Sequence, residues 1–272
     1  MDKFMKAIDA FLWQSWTAIG VRGTVAPLEH LLIDPEGLIV MTSLVATDAR
    51  LREEAIDWCA RYFGFVAITR LKNISRALSD DDRARLHAFS AAVNSVSSAR
   101  WPDAGQPVRP IRRSGKSKLP DLSASALAQL RYRAIFGTTA RTEALFYLGR
   151  TPTWNSAADV ARATGHKKRV IANALDELVL GGILRTRERG NRIDFRLPEP
   201  KKLEVFAGSV AALEFAWTDW ARVISTFARV QGQKPTVQRI EIARVLEESK
   251  LDSLASPTPQ SLLSAFLSAV QP

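Results

Sequence analysis

The chain has 272 residues, 46% of them hydrophobic, one cysteine and a formal net charge of +10. That length allows two or three domains. The lone Cys59 excludes an internal disulfide and a cysteine-rich zinc site, and the longest apolar run, residues 37–46, falls far short of the roughly 20 residues of a membrane span. Asp2 and Asp9, with Gln14, Ser15 and Thr17, break up the start of the chain, so no secretory signal is expected there and the protein reads as cytoplasmic. Lys plus Arg minus Asp plus Glu is −1 over residues 1–98, +6 over 99–140, +5 over 141–198 and 0 over 199–272. The whole excess therefore lies in the middle of the chain, where a positive field suits a polyanion.

In chain order, residues 1–20 predict an amphipathic helix with Phe4, Ile8, Phe11, Leu12 and Trp16 on one side and Trp13 off that stripe. Residues 21–34 predict a connection, with Gly23, Pro27 and an isolated His30. Residues 35–78 predict three helices. Pro35 follows Asp34 as a first helical turn allows; Asp48 or Ala49 opens the second, with Leu51, Ala55, Ile56 and Trp58 inward; Gly64 interrupts, and Ile68, Leu71, Ile74 and Leu78 line the third. Cys59 in the second helix reads as a buried thiol. Such a trio also describes a helix-turn-helix core with Arg70, Lys72 and Arg76 on its third helix, but no strand pair follows and the local charge is near zero, which favours a packing domain. Ser79 and Asp80–Asp82 suit the positive N-terminal end of another helix, on which His87 lies.

Residues 99–120 form a linker, punctuated by Pro102, Pro107, Pro110 and Pro120. Arg109, Arg112, Arg113, Lys116 and Lys118 make it basic, either as an arm along phosphates or as a solvated connection. Ser123 is placed to cap a helix carrying Leu127, Leu130, Arg131, Arg133 and Ile135, ended by Gly137. Another helix over 139–149 has Leu145, Phe146 and Leu148 as its core side.

Residues 156–197 carry the densest pattern. Ser156 and Asp159 form a capping-box pair. Val160 and Ala163 face inward, and Gly165 supplies a left-handed cap. A second helix spans about 168–180, with Ile171, Leu175, Leu178 and Val179 as its stripe, and Gly181-Gly182 stops it. Two strands, 183–187 and 192–197, flank a turn at 188–191. Beyond Pro198 and Pro200, apolar residues from Leu203 through Phe206, Val210, Leu213, Trp217 and Trp220 to Val223 predict one long helix that packs on residues 1–98, on the central domain or on a second subunit. Shorter helices follow at 237–246 and 259–270.

The order helix, glycine turn, helix and hairpin resembles the winged helix-turn-helix domain of MarR- and ArsR-type regulators over residues 139–197. The best-matching stretch holds Gly165, the polar run 166–169, Ile171, Ala174-Leu175 and Leu178. Where those regulators often carry Ser and Thr, this chain has Lys167, Lys168, Arg169 and Val170. The resemblance implies a helix that enters the major groove of double-stranded DNA. Lys167, Lys168 and Arg169 then reach phosphates or guanine edges, and Asn173 pairs with adenine. Val170 and Ala172 touch a thymine methyl, Arg189 lies in the minor groove, and Arg187 and Arg192 lie near phosphates.

The fold expected is mainly α: a helical N-terminal domain (1–98), the basic linker (99–120), a winged helix-turn-helix (121–198) and a helical packing or dimerisation region (199–272). The function expected is that of a sequence-specific transcription repressor binding as a homodimer, with a small-molecule effector or protein partner left open. The alternative is an interaction module, an antitoxin or scaffold subunit, holding a partner through the central domain and the C-terminal helix. No phosphate-cradling, dinucleotide or metalloprotease motif occurs, so neither catalysis nor a cofactor is expected.

Overall fold

Asp34, Asp48 and Ser79 each precede a helix and accept hydrogen bonds from its first turn, which satisfies donors that a helix start otherwise leaves bare. These caps begin α2 (Pro35–Val45), α3 (Ala49–Tyr62) and α5 (Asp80–Ser95). They sit beside α1 (Asp2–Ala18) and α4 (Ile68–Arg76), the latter following a single 3-10 turn at Phe63–Phe65 where Gly64 breaks the pattern. The computed structural model describes residues 2–102, 111–209 and 212–249; the predicted helix at 259–270 and the linker residues Pro107, Arg109 and Pro110 lie outside them. Within the described residues the chain is mainly helical, with one small antiparallel sheet.

Two cores organise the chain. The first holds the predicted stripe of α1, the inward residues of α3 and all of α2, which is buried along its whole length. Trp13 is covered from a second direction, its indole N–H donating to Asp48 at 2.8 Å. Cys59 lies inside, and burial pushes its thiol pKa well up, as for an inert structural cysteine.

This core is completed from the far end of the chain by α11 (Trp217–Val230) and α12 (Pro235–Glu248). Trp217 stacks on Phe11 with ring centroids 5.3 Å apart and donates to the Leu32 carbonyl at 2.9 Å. A Cβ added at Gly37 would lie 2.4 Å from the Trp217 Cβ, so glycine is what lets α2 and α11 approach. The long helix predicted from Leu203 is in fact two. The first, α10 (Pro200–Ala207), ends at Gly208, whose φ of +68° and crowding against the Arg131 guanidinium both exclude a side chain. Consequently Phe206 and Leu213 are exposed, whereas Trp217, Trp220 and Val223 are buried.

The second core lies between α6 (Ala128–Phe136), α7 (Ala140–Arg150), α8 (Ala157–Thr164), α9 (Lys168–Leu180), α10 and the sheet. Ser123 does not cap α6. Its N–H and hydroxyl instead turn back to Asp121, and a 3-10 turn at Ser125–Leu127 leads into the helix. The sheet joins β1 (Asn155–Ser156), β2 (Arg185–Arg189) and β3 (Arg192–Arg196) in the order β1-β3-β2. Arg189 pairs with Arg192, so the hairpin turn is the two residues Gly190-Asn191, shorter than the four predicted; Gly190 takes φ +60°.

A buried ionic network fastens the two cores together. Arg133 of α6 donates to Glu36 of α2 at 2.8 Å and to Glu143 of α7 at 2.7 Å, and Arg70 of α4 reaches Glu36 at 2.6 Å and also pairs with Asp34. Burial opposes ionisation of Glu36 and Glu143, but the guanidiniums of Arg133 and Arg70 outweigh it and hold both carboxyls below the ordinary glutamate value. Residues 111–119 do not hang free. Arg113 pairs with the buried Asp57 at 3.2 Å, and the Lys118 N–H donates to the Gly20 carbonyl at 2.9 Å, which lays this half of the linker along α3.

Candidate nucleic-acid interface

α8 starts as the sequence predicts. The Ser156 hydroxyl accepts from the Asp159 N–H at 3.2 Å, and the Asp159 carboxylate accepts from the Ser156 N–H at 3.1 Å. Hydrogen bonds from Ser156 hold the Asp159 carboxyl below its usual range. Val160 turns inward, but its inward neighbour is Ala161; Ala163 is exposed. Gly165 has φ +69° and ψ +22°, the left-handed cap that redirects the chain into α9. There Ile171, Ala174 and Leu175 are buried and Leu178 and Val179 half-buried.

The opposite face of α9 is open. Lys167, Lys168, Arg169, Val170 and Asn173 are exposed and Ala172 is half-buried. Among the described residues, Lys167, Lys168 and Arg169 form no ion pair with the rest of the chain. Three cations thus stand together at one exposed helix end, without an ion-pair partner among the described residues. Further along α9 the acidic Asp176 and Glu177 are also exposed, and Glu177 pairs with Arg141 at 3.3 Å. The positive character is therefore confined to the leading end of the helix.

The hairpin arginines are not equivalent. Arg187 and Arg192 share one buried carboxylate, Asp194, at 3.1 and 2.7 Å, and Arg192 also reaches Asp159 at 3.3 Å. The hydrogen bonds from Arg192 and then Arg187 keep the Asp194 carboxyl below its ordinary pKa, so it remains an anchor at neutral pH. Arg187 and Arg196 lie over Trp154, each 4.8 Å from the ring centroid. Arg189 is exposed beside the turn, and no ion pair holds it among the described residues.

Trp154, Asp194 and Arg196 escaped the sequence reading. Asp194 had a signal: it is the one acid at an alternating strand position with an arginine two residues before it and another two after. Trp154, ahead of the first strand, had none, because its role depends on two arginines distant in sequence. Lys167 to Asn173 and the hairpin tip are thus brought to the surface of one small unit. No family model, curated protein or solved structure matches this chain.

Proposed function

We propose that the chain is a sequence-specific DNA-binding transcription regulator. In this reading the central unit is a winged helix-turn-helix, α9 enters the major groove, and the hairpin lies along the adjacent backbone. The observation that carries the reading is the exposed Lys167-Lys168-Arg169 end of α9, unpaired among the described residues and entered through the left-handed Gly165 that closes α8. Phosphate contacts by these cations supply affinity, and Asn173, one turn on, reads an adenine edge. The regulator acts as a repressor by occupying promoter DNA, and as a homodimer spans two half-sites.

Binding of the protein to its own upstream DNA and to random DNA, at two salt concentrations, tests this. The expected result is a preference of about 1,000-fold, within the range of specific binders. Weak binding without preference, lost at the higher salt, would overturn it. Val205 and Phe206 on α10, 81% and 76% exposed, favour a second reading, in which the chain holds a partner protein. Recovery of a stable heterocomplex with no DNA preference would support that reading instead.

A further inference from the structure

The turn before α9 is touched by the N-terminal domain as well as by its own unit. Asn73 of α4 donates its side-chain N–H to the Gly165 carbonyl at 2.8 Å, and its amide oxygen accepts from Arg76 at 3.1 Å. A Cβ at Gly165 would come within 3.2 Å of the Arg70 side chain, so α4 is seated on the turn at van der Waals distance. α4 divides its charges accordingly. Arg70 is turned inward to Asp34 and Glu36, whereas Lys72 and Arg76, one turn apart, are exposed. They line a surface depression with Ser75 and Arg83. Arg83 is fixed there by hydrogen bonds to the Ser75 and Leu78 carbonyls and by Asp80 at 3.0 Å.

We infer that α4 is a second phosphate-binding element, gripping the duplex backbone that flanks the site of α9. The inference rests on the DNA-binding reading given above. Two observations carry it: Lys72 and Arg76 are like-charged with Lys167, Lys168 and Arg169, and Asn73 places them directly beside the turn that leads into those residues. α4 is tied to the central unit directly by Asn73 on the Gly165 carbonyl, and indirectly by Arg70 on Glu36, the carboxylate that Arg133 of α6 also holds. The occupant is a phosphodiester backbone: Lys72 and Arg76 offer positive charge one turn apart, and the amide beside them, Asn73, is already engaged by the Gly165 carbonyl and Arg76. The footprint on DNA is therefore longer than α9 and the hairpin alone would leave.

The test is a salt series of binding to the upstream duplex by the wild-type chain, Lys72→Ala/Arg76→Ala and Lys168→Ala/Arg169→Ala. Each neutralised phosphate contributes about 0.9 to the slope of log K against log salt, so the α4 variant should lose about 2 from the slope and about tenfold in affinity at low salt. Its preference for the upstream sequence and its melting temperature should stay those of the wild type. Wild-type binding that is weakened by the α9 changes but not by the α4 changes, with the slope intact, would overturn the inference and leave the DNA reading standing. No preference by the wild-type chain for the upstream duplex would overturn both. A Lys72→Glu/Arg76→Glu variant that binds as the wild type does would likewise refute the inference.

Discussion

Charge converges on Glu36 in the interior: two guanidiniums and the Ala67 N–H, which donates at 2.6 Å, all meet its fully buried carboxylate. Glu36→Gln removes the charge and leaves Arg133 and Arg70 underpaired. A loss of about 3–5 kcal/mol is expected, read by urea unfolding. The pH dependence follows from the same group. With folded pKa values below the ordinary 4.5, Glu36 and Glu143 contribute stability that is complete above about pH 4.5. It is lost as the pH falls below that value, because unfolding then takes up protons. Melting temperature against pH should be flat from 7 to about 5 as far as this pair is concerned, then fall; a fall beginning near pH 6 would point to other groups. On the proposed function, Lys168→Ala/Arg169→Ala at the exposed end of α9 should weaken duplex binding and leave the melting temperature nearly unchanged, since neither side chain is buried. A large drop in melting temperature would give those residues a structural role instead.

Between α2 and α11 the deciding feature is close approach. Gly37→Ala would gain up to about 1 kcal/mol of helix propensity but force a methyl against Trp217. The overpacking cost of about 1–3 kcal/mol should win, and thermal unfolding of the variant measures the sign. The hairpin poses a similar question. Asp194→Asn removes the carboxylate that Arg187 and Arg192 share, so amide exchange across 185–196 should quicken while the rest of the chain stays protected. Much of this local structure was legible in the sequence. The caps at Asp34, Asp48, Ser79 and Ser156, the bounds of α9 and the presence of the hairpin, though not its two-residue turn, are set by neighbours a few residues apart, and local rules find them. The break at Gly208, the buried Arg133 and the Trp154 platform depend on residues 77, 97, and 33 and 42 positions away respectively. Periodicity carries no information at such distances, which is why 203–223 read as one helix and Arg133 is placed on its helix with no partner.

Over the whole molecule, the apolar face of α11 is spent within its own chain, on α1 and α2, and is not the surface for a second copy. Each buried tryptophan removes about 200 Å² from water, roughly 5 kcal/mol at about 25 cal/mol/Å². Deleting residues 217–230 removes two of them, Trp217 and Trp220, and should give unfolded protein rather than a soluble monomer. A homodimer should sediment at about twice the 30.1 kDa of one chain. Sedimentation at the single-chain mass, both free and with the upstream duplex, would overturn the proposed homodimer.

The closing of the first core by the last described helices also sets an order of assembly. The unit built from residues 128–207 is contiguous, so it can pack as soon as it leaves the ribosome. α2, apolar along its length, has nothing to cover one side until residues beyond 217 emerge. During synthesis the central unit therefore matures first. The N-terminal half waits with its hydrophobic surface bare, and a chain interrupted before Trp217 is a substrate for chaperones and proteases rather than a shortened folded protein.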